Sequence, residues 1–221
     1  MSYARYPAVL FDLDGTLTDP YVGITTTFLH ALGGLGHPPP DEATLRSWIG
    51  PPLGATFRAY LGDEELARRG VALYRERYRA LGMYENRVYA GVAELLAALR
   101  GAGARLFVAT SKLIGPAEGI LAHFGLAGYF DGVVGATPDE RLATKAEVIA
   151  ATVELLTPVE RAGCVMVGDT AYDVEGARDN GLSCIAVSYG YGTLASLEAA
   201  RPHAIAHSVE ELGALLLGGP R

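Results

Sequence analysis

Two aspartates, Asp12 and Asp14, close the apolar run Ala8-Val9-Leu10-Phe11 and stand two residues apart. On an extended chain that spacing turns both side chains to the same side, so two carboxylates share one small volume. Like charges at that range push one carboxyl pKa up or recruit a cation. Either outcome, a protonated acid beside an ionised one or a metal site, is useful in catalysis. A second acidic pair follows the apolar run Cys164-Val165-Met166-Val167, with Asp169 at the tip of the expected strand and Asp173 one helical turn later. Both can project toward one site. Paired oxygen donors with no His or Cys nearby suit a hard, partly hydrated Mg²⁺.

Two further stretches carry groups fit to hold an anion. Arg105-Leu106-Phe107-Val108-Ala109 reads as a strand that ends in Thr110-Ser111-Lys112. A hydroxyl and backbone amides there can hydrogen-bond a phosphoryl oxygen without adding charge. Thr144 and Glu147 form a capping box that opens a helix and puts Lys145 in its first turn. A cation facing the positive end of a helix dipole is disfavoured by roughly a few tenths of a kcal/mol, so something else must justify it there. Lys112 competes with Lys145 for this place and reads as a peripheral or substrate-facing residue.

The elements that must position these groups alternate between strand and helix. Buried strands are expected at Ala8–Phe11, Arg105–Ala109, around Asp131–Val134, at Cys164–Val167 and at Ser183–Val187, with a short edge strand at Ala204–Ala206. Amphipathic helices separate them, the clearest being Val92, Leu95, Leu96 and Leu99 at i, i+3, i+4 and i+7. That alternation predicts an α/β fold, a doubly wound and mostly parallel sheet with helices on both faces, formed by residues 1–18 and 83–221. Residues 19–82 read as helices throughout, beginning at Asp19 as N-cap with Pro20 in the first turn, and are expected to form a separate all-helical subdomain. Tyr189-Gly190-Tyr191-Gly192 reads as a flexible loop or a plain turn.

Composition narrows the function. Of the 221 residues 50% are apolar and 19% charged, enough for a sizeable core. The formal charge of −7 argues against a nucleic-acid partner, which needs a basic face. Any anionic substrate must then be held by local cations or a metal. Cys164 and Cys184 lie in apolar runs and read as buried reduced thiols, consistent with a cytoplasmic protein. Met1 to Pro7 has no apolar leader core and no stretch reaches a membrane-spanning length, so no membrane partner is expected.

The segment Asp12-Leu13-Asp14-Gly15-Thr16-Leu17-Thr18-Asp19 resembles the first motif of the haloacid dehalogenase superfamily in its phosphatase form. Thr110 resembles the second motif, Lys145 the third, and Gly168-Asp169-Thr170-Ala171-Tyr172-Asp173 the fourth. The resemblance covers nearly the whole chain. It implies a Rossmann-like core and a helical cap over 19–82 of the phosphoglycolate-phosphatase kind. It also implies Mg²⁺-dependent hydrolysis of a small phosphorylated metabolite through an aspartyl-phosphate on Asp12, with Asp14 as acid and base. Thr110, Ser111 and Lys145 would hold the phosphoryl group. The metal would lie on Asp12, the Asp14 main-chain carbonyl and Asp169, with Asp173 as ligand or support. Within the cap, Ser47-Trp48-Ile49-Gly50-Pro51-Pro52-Leu53 resembles the specificity loop of phosphoglycolate-phosphatase-like proteins and related 5′-nucleotidases. Arg46 and Arg58 flank it as candidates for a substrate carboxylate or second phosphate.

Asp14 bears on the choice of chemistry within the superfamily. Haloalkanoate dehalogenases typically lack this second aspartate, whereas sugar phosphomutases keep it, so a mutase and a 5′-nucleotidase stand as alternatives. A phosphonatase would need a cap lysine, and none lies between Asp19 and Gly82. A phospho-accepting signalling module would need neither Asp14 nor a cap. The chain is expected to be a monomer or homodimer.

Overall fold

The computed structural model describes residues 3–138 and 141–218, so the expected chain ends of the core, Met1 and Arg221, lie outside the described residues. The chain divides into two compact units, Met1–Asp19 with Val88–Arg221, and Pro20–Arg87.

In the first unit β1 (Ala8–Phe11) leads directly to the acid-bearing turn Asp12-Leu13-Asp14-Gly15, and the chain leaves the unit after Asp19. The second unit is α1 (Tyr21–Gly34), α2 (Glu42–Ser47), α3 (Leu53–Leu61) and α4 (Glu64–Arg77), the last widening into a single π-helical turn at Tyr78–Gly82. Asp41 and Asp63 cap α2 and α4 by accepting the N–H groups of Thr44 and Leu66, each at 2.8 Å. Its core is aromatic: the ring of Phe28 lies 4.8 Å from Trp48, 5.2 Å from Phe57 and 4.7 Å from Tyr74, centre to centre. Beside it Arg77 forks onto Glu85 at 2.8 and 3.0 Å and donates to Thr27 Oγ1 at 2.8 Å, which satisfies a half-buried charge.

The first unit resumes with α5 (Val92–Gly101), β2 (Arg105–Leu113), α6 (Ile114–His123), β3 (Gly132–Ala136), α7 (Lys145–Val153), α8 (Pro158–Gly163), β4 (Val165–Gly168), α9 (Ala171–Asp179), β5 (Ser183–Val187), α10 (Leu194–Ala200), β6 (Ala204–Ala206) and α11 (Val209–Leu216). The sheet order is β3-β2-β1-β4-β5-β6 and every neighbouring pair is parallel. This is the doubly wound α/β arrangement, with the order reversing about β1. Continuous apolar strands are what such a sheet demands, because helices bury both faces. Leu10, Phe107 and Met166 pack with Val148 and Ile149 of α7 and Val174 of α9 on one face, while the alternate residues Val9, Phe11, Val108 and Val167 are equally buried on the other. Cys164 and Cys184 are free, buried thiols.

Three local readings change. Asp19 does not cap α1: Pro20 takes that position without a side-chain bond, and the Asp19 carboxylate instead accepts the Tyr191 hydroxyl, a partner supplied by tertiary structure. The extended backbone of β2 runs on through Thr110-Ser111-Lys112 to Leu113 instead of ending at Ala109. The short helices α8 and α10 begin at Thr157 and Thr193, whose hydroxyls accept from Glu160 and Ser196 N–H. The Thr157-Pro158…Glu160 pattern is a legible helix start, a capping box with proline in the first turn, on an element only six residues long.

Leu10 is fully buried at the centre of this sheet. Leu10→Ala is expected to lower unfolding free energy by about 2–5 kcal/mol, read as a lower urea midpoint at an unchanged slope.

Candidate active site

The strand register sets the site. Phe11 pairs with Val108 on one side and Val167 on the other, so the residues that follow each, Asp12, Ala109 then Thr110, and Gly168 then Asp169, reach one end of the sheet together. The Asp12 N–H continues the ladder onto Val167 O at 2.8 Å. Asp12, Thr110, Asp169 and Asp173 are all buried, and so is Lys145, brought in by α7. Its Nζ lies 2.7 Å from Asp12 Oδ1 and 2.9 Å from Asp173 Oδ1 and donates to Ala109 O at 3.2 Å. The lysine that the helix dipole disfavours is thus justified by two carboxylates.

Asp173 has both oxygens engaged, whereas Asp169 and Asp14 each have one oxygen tied down and one left over. Asp173 Oδ2 accepts the N–H and hydroxyl of Thr170, at 3.0 and 2.8 Å. Asp169 Oδ2 accepts the N–H of Tyr191 at 2.7 Å, while its Oδ1 is buried without a hydrogen-bond partner. Asp14 Oδ2 is paired with Lys112 Nζ at 2.7 Å, and its Oδ1 is likewise buried and unpartnered. The backbone crowds in to hold Asp169. Gly15 has a left-handed φ of 81°, and a Cβ there would sit 2.1 Å from Asp169 Oδ2; one at Gly190 would sit 2.3 Å from the same oxygen. Tyr189-Gly190-Tyr191-Gly192 is accordingly part of the site, a role its sequence left open.

These residues fit a divalent cation. Asp12, Asp169 and Asp173 each bring an oxygen within 4.8 Å of the others, all three residues buried, and Asp169 keeps a buried Oδ1 with no hydrogen-bond partner. The charges also ask for one. Burial pushes the Asp12 carboxyl up to about 6, with Lys145 pulling against it. Burial, then the charges of Asp173 and Asp12, raise Asp169 as well. Burial works against the Lys145 ammonium too, but the charges of Asp12 and Asp173 outweigh it and hold the lysine above its usual value.

Of the other predicted residues, Ser111 is exposed, because on extended backbone it points away from the side shared by Thr110 and Lys112. Arg46 and Arg58 are exposed on α2 and α3 of the second unit, Arg58 lying 3.8 Å from Glu64. Lys112 is neither peripheral nor free: its side chain is only 10% exposed and engages Asp14. Its position two residues beyond Thr110 was the signal that could have found it.

Residues 9–187 match the model of the haloacid dehalogenase-like hydrolases. The chain belongs to that family. It is 45% identical over 214 residues to a 5′-nucleotidase of Pseudomonas aeruginosa, covering 96% of this chain and 94% of that protein. It is 39% identical over 206 residues to the tyrosine-protein kinase PtkA of Mycobacterium tuberculosis, covering 92% and 70%. Among solved structures, a predicted phosphatase from Clostridium acetobutylicum superposes with a TM-score of 0.87 at 42% identity, covering 96% and 97%. Within the family the chain is a hydrolase of the phosphatase kind. No described helix is long and apolar enough to cross a membrane.

The raised Asp12 pKa has a consequence for stability. The folded state holds this proton more tightly than the unfolded chain does, about 6 against 3.8, so the contribution is full below 3.8 and is lost as pH rises through 6. In chelator, Asp12→Asn is therefore expected to melt above wild type, by a margin that grows from pH 4.5 to pH 8 toward something on the order of 3 kcal/mol. Thermal melts at the two pH values measure it, and added Mg²⁺ should narrow the gap.

Proposed function

We propose that the protein is a Mg²⁺-dependent phosphomonoesterase that works through an aspartyl-phosphate on Asp12. The observation that carries this reading is the buried set Asp12, Asp169, Asp173 and Lys145, in which carboxylates that would repel one another are gathered around a single ammonium. Asp12, the main-chain carbonyl of Asp14 and Asp169 would hold the Mg²⁺, with Asp173 mainly supporting Lys145, since both Asp173 oxygens already have partners. Bound there, the cation supplies charge stabilisation for the transferring phosphoryl group.

The chain's own groups do the rest. An Asp12 oxygen attacks phosphorus in line while Asp14 gives its proton to the departing oxygen, splitting one hard displacement into two easier ones. Asp14, now a carboxylate, takes a proton from the water that attacks the aspartyl-phosphate, which frees inorganic phosphate and returns the proton. Thr110 and Lys145 hold the phosphoryl oxygens, and the backbone N–H of Ser111 is better placed than its exposed side chain to join them. Electrostatic positioning must dominate, because phosphate-monoester hydrolysis calls for accelerations up to ~10²¹.

The substrate class is a small phosphorylated metabolite. The segment 47–53, which resembles the specificity loop of phosphoglycolate-phosphatase-like proteins and of 5′-nucleotidases, suits either 2-phosphoglycolate or a nucleoside 5′-monophosphate, and the name of the Pseudomonas relative favours the latter. Two free buried thiols suit a reducing cytoplasm.

Phosphate release is expected from a panel of 2-phosphoglycolate, nucleoside 5′-monophosphates, sugar phosphates, pyrophosphate and p-nitrophenyl phosphate, dependent on Mg²⁺ and abolished in Asp12→Asn. Turnover that survives in Asp12→Asn would remove the aspartyl-phosphate route, and conversion of a sugar phosphate to its isomer without release would identify a mutase. On the best substrate Arg46→Ala and Arg58→Ala are each expected to raise KM about tenfold with kcat little changed; unchanged kcat/KM in both would clear the arginines of any part in binding.

A further inference from the structure

Lys112 lies outside the four motif positions, yet it makes the only ion pair given to Asp14 among the described residues, Nζ to Oδ2 at 2.7 Å. It is delivered there by an irregularity in the sheet. Between Thr110 and Leu113 the pairing of β2 with β3 shifts: Thr110 faces Gly135 and Leu113 faces Ala136, with Ser111 and Lys112 left over. Such a bulge re-aims side chains beside a site. The Lys112 N–H also donates to Thr110 Oγ1 at 3.3 Å, so the same stretch of backbone sets both the hydroxyl and the ammonium, and the hydroxyl keeps its own proton to donate.

Stability does not account for such a pair, because a largely buried ion pair costs about as much in desolvation as it returns. Lys145 cannot stand in for it, being spent on Asp12, Asp173 and Ala109. What the contact does is geometric. With Oδ2 clamped, the plane of the Asp14 carboxyl is set and Oδ1, buried and without a partner, is the atom presented.

We propose that Lys112 is a positioning residue for proton transfer: by holding Asp14 Oδ2 it makes Oδ1 the atom that protonates the leaving oxygen and then takes the proton of the attacking water. This rests on the phosphatase reading above, and adds to it a residue and an atom.

The experiment compares esters that differ in their need for an acid. Wild type, Lys112→Met, Lys112→Arg, Asp14→Asn and the double variant Lys112→Met/Asp14→Asn are assayed with Mg²⁺ on AMP, whose alkoxide leaves poorly, and on p-nitrophenyl phosphate, whose phenolate leaves well. Lys112→Met is expected to lower kcat on AMP by ~10²-fold, within the range that general acid–base catalysis supplies, and on p-nitrophenyl phosphate by less than tenfold, with KM unchanged on both. Lys112→Arg should recover part of the loss, and the double variant should be no slower on AMP than Asp14→Asn alone. Equal losses on the two esters, a rise in KM alone, or losses that multiply in the double variant would each overturn the assignment. Should Lys112→Met fail to fold, the ester ratio in Lys112→Arg and in Lys112→Gln decides the matter by the same criterion. Absence of phosphate release by wild type from both esters would overturn the phosphatase reading and this assignment with it, a result distinct from a wild type that turns over and a Lys112 variant without ester selectivity.

Discussion

The structure turns on one electrostatic constraint: several carboxylates are held out of water at one end of a sheet, where their mutual repulsion must be met. Lys145 meets part of it by lying within ion-pair distance of both Asp12 and Asp173. The remainder stays in the fold as a raised Asp12 pKa and an Asp169 oxygen without a partner. A protein selected for stability alone would replace such a cluster with apolar side chains. Retaining it makes the site a place where a cation can be taken up with little rearrangement.

A second regularity follows from the need to aim these groups. In Asp14, Asp169 and Asp173 one carboxylate oxygen is fixed, by Lys112, by the Tyr191 N–H and by Thr170 respectively. The fixing partners differ in kind: a side-chain cation, a loop amide and a helix N-cap. The effect is the same, since a carboxyl group held by one oxygen can turn little and offers the other in a defined direction. The loop amide requires close backbone approach, which is why glycine stands at 15 and 190, where any Cβ would collide with Asp169. Tyr191 extends the arrangement, because its hydroxyl reaches Asp19 at the point where the chain leaves the first unit.

Much of this was legible in the amino-acid order. Apolar runs of four or five residues followed by Asp, Thr or Asp mark buried parallel strands whose tips carry chemistry, and their shortness and abrupt polar ends separate them from the longer amphipathic helices. The capping box at Thr144 and Glu147 placed Lys145 in a helical first turn, and its unfavourable dipole there pointed to a partner elsewhere. Local rules failed where a distant residue competed. Asp19-Pro20 has the form of a helix cap, but the Tyr191 hydroxyl claims the carboxylate. Thr110-Ser111-Lys112 has the form of a loop, but the strand runs on to Leu113, with Thr110 and Leu113 paired to β3 and Ser111 and Lys112 bulged between them.

The sequence by itself determined the α/β class, the strands, the helical character of residues 19–82 and the acids and cations available at the strand tips. These depend on side-chain type and on spacing within a few residues, which chain geometry converts directly into faces and ends. Only the tertiary structure decided which oxygen of each aspartate is held and which is presented, that Lys112 serves Asp14 while Lys145 serves Asp12 and Asp173, and that Tyr191 belongs to the site. Those pairings join residues far apart in the chain, and the Tyr191–Asp19 bond beside them spans 172 positions, across strands whose register no local pattern encodes. They are settled by which charges the packed sheet leaves without water, and that is a property of the assembled fold.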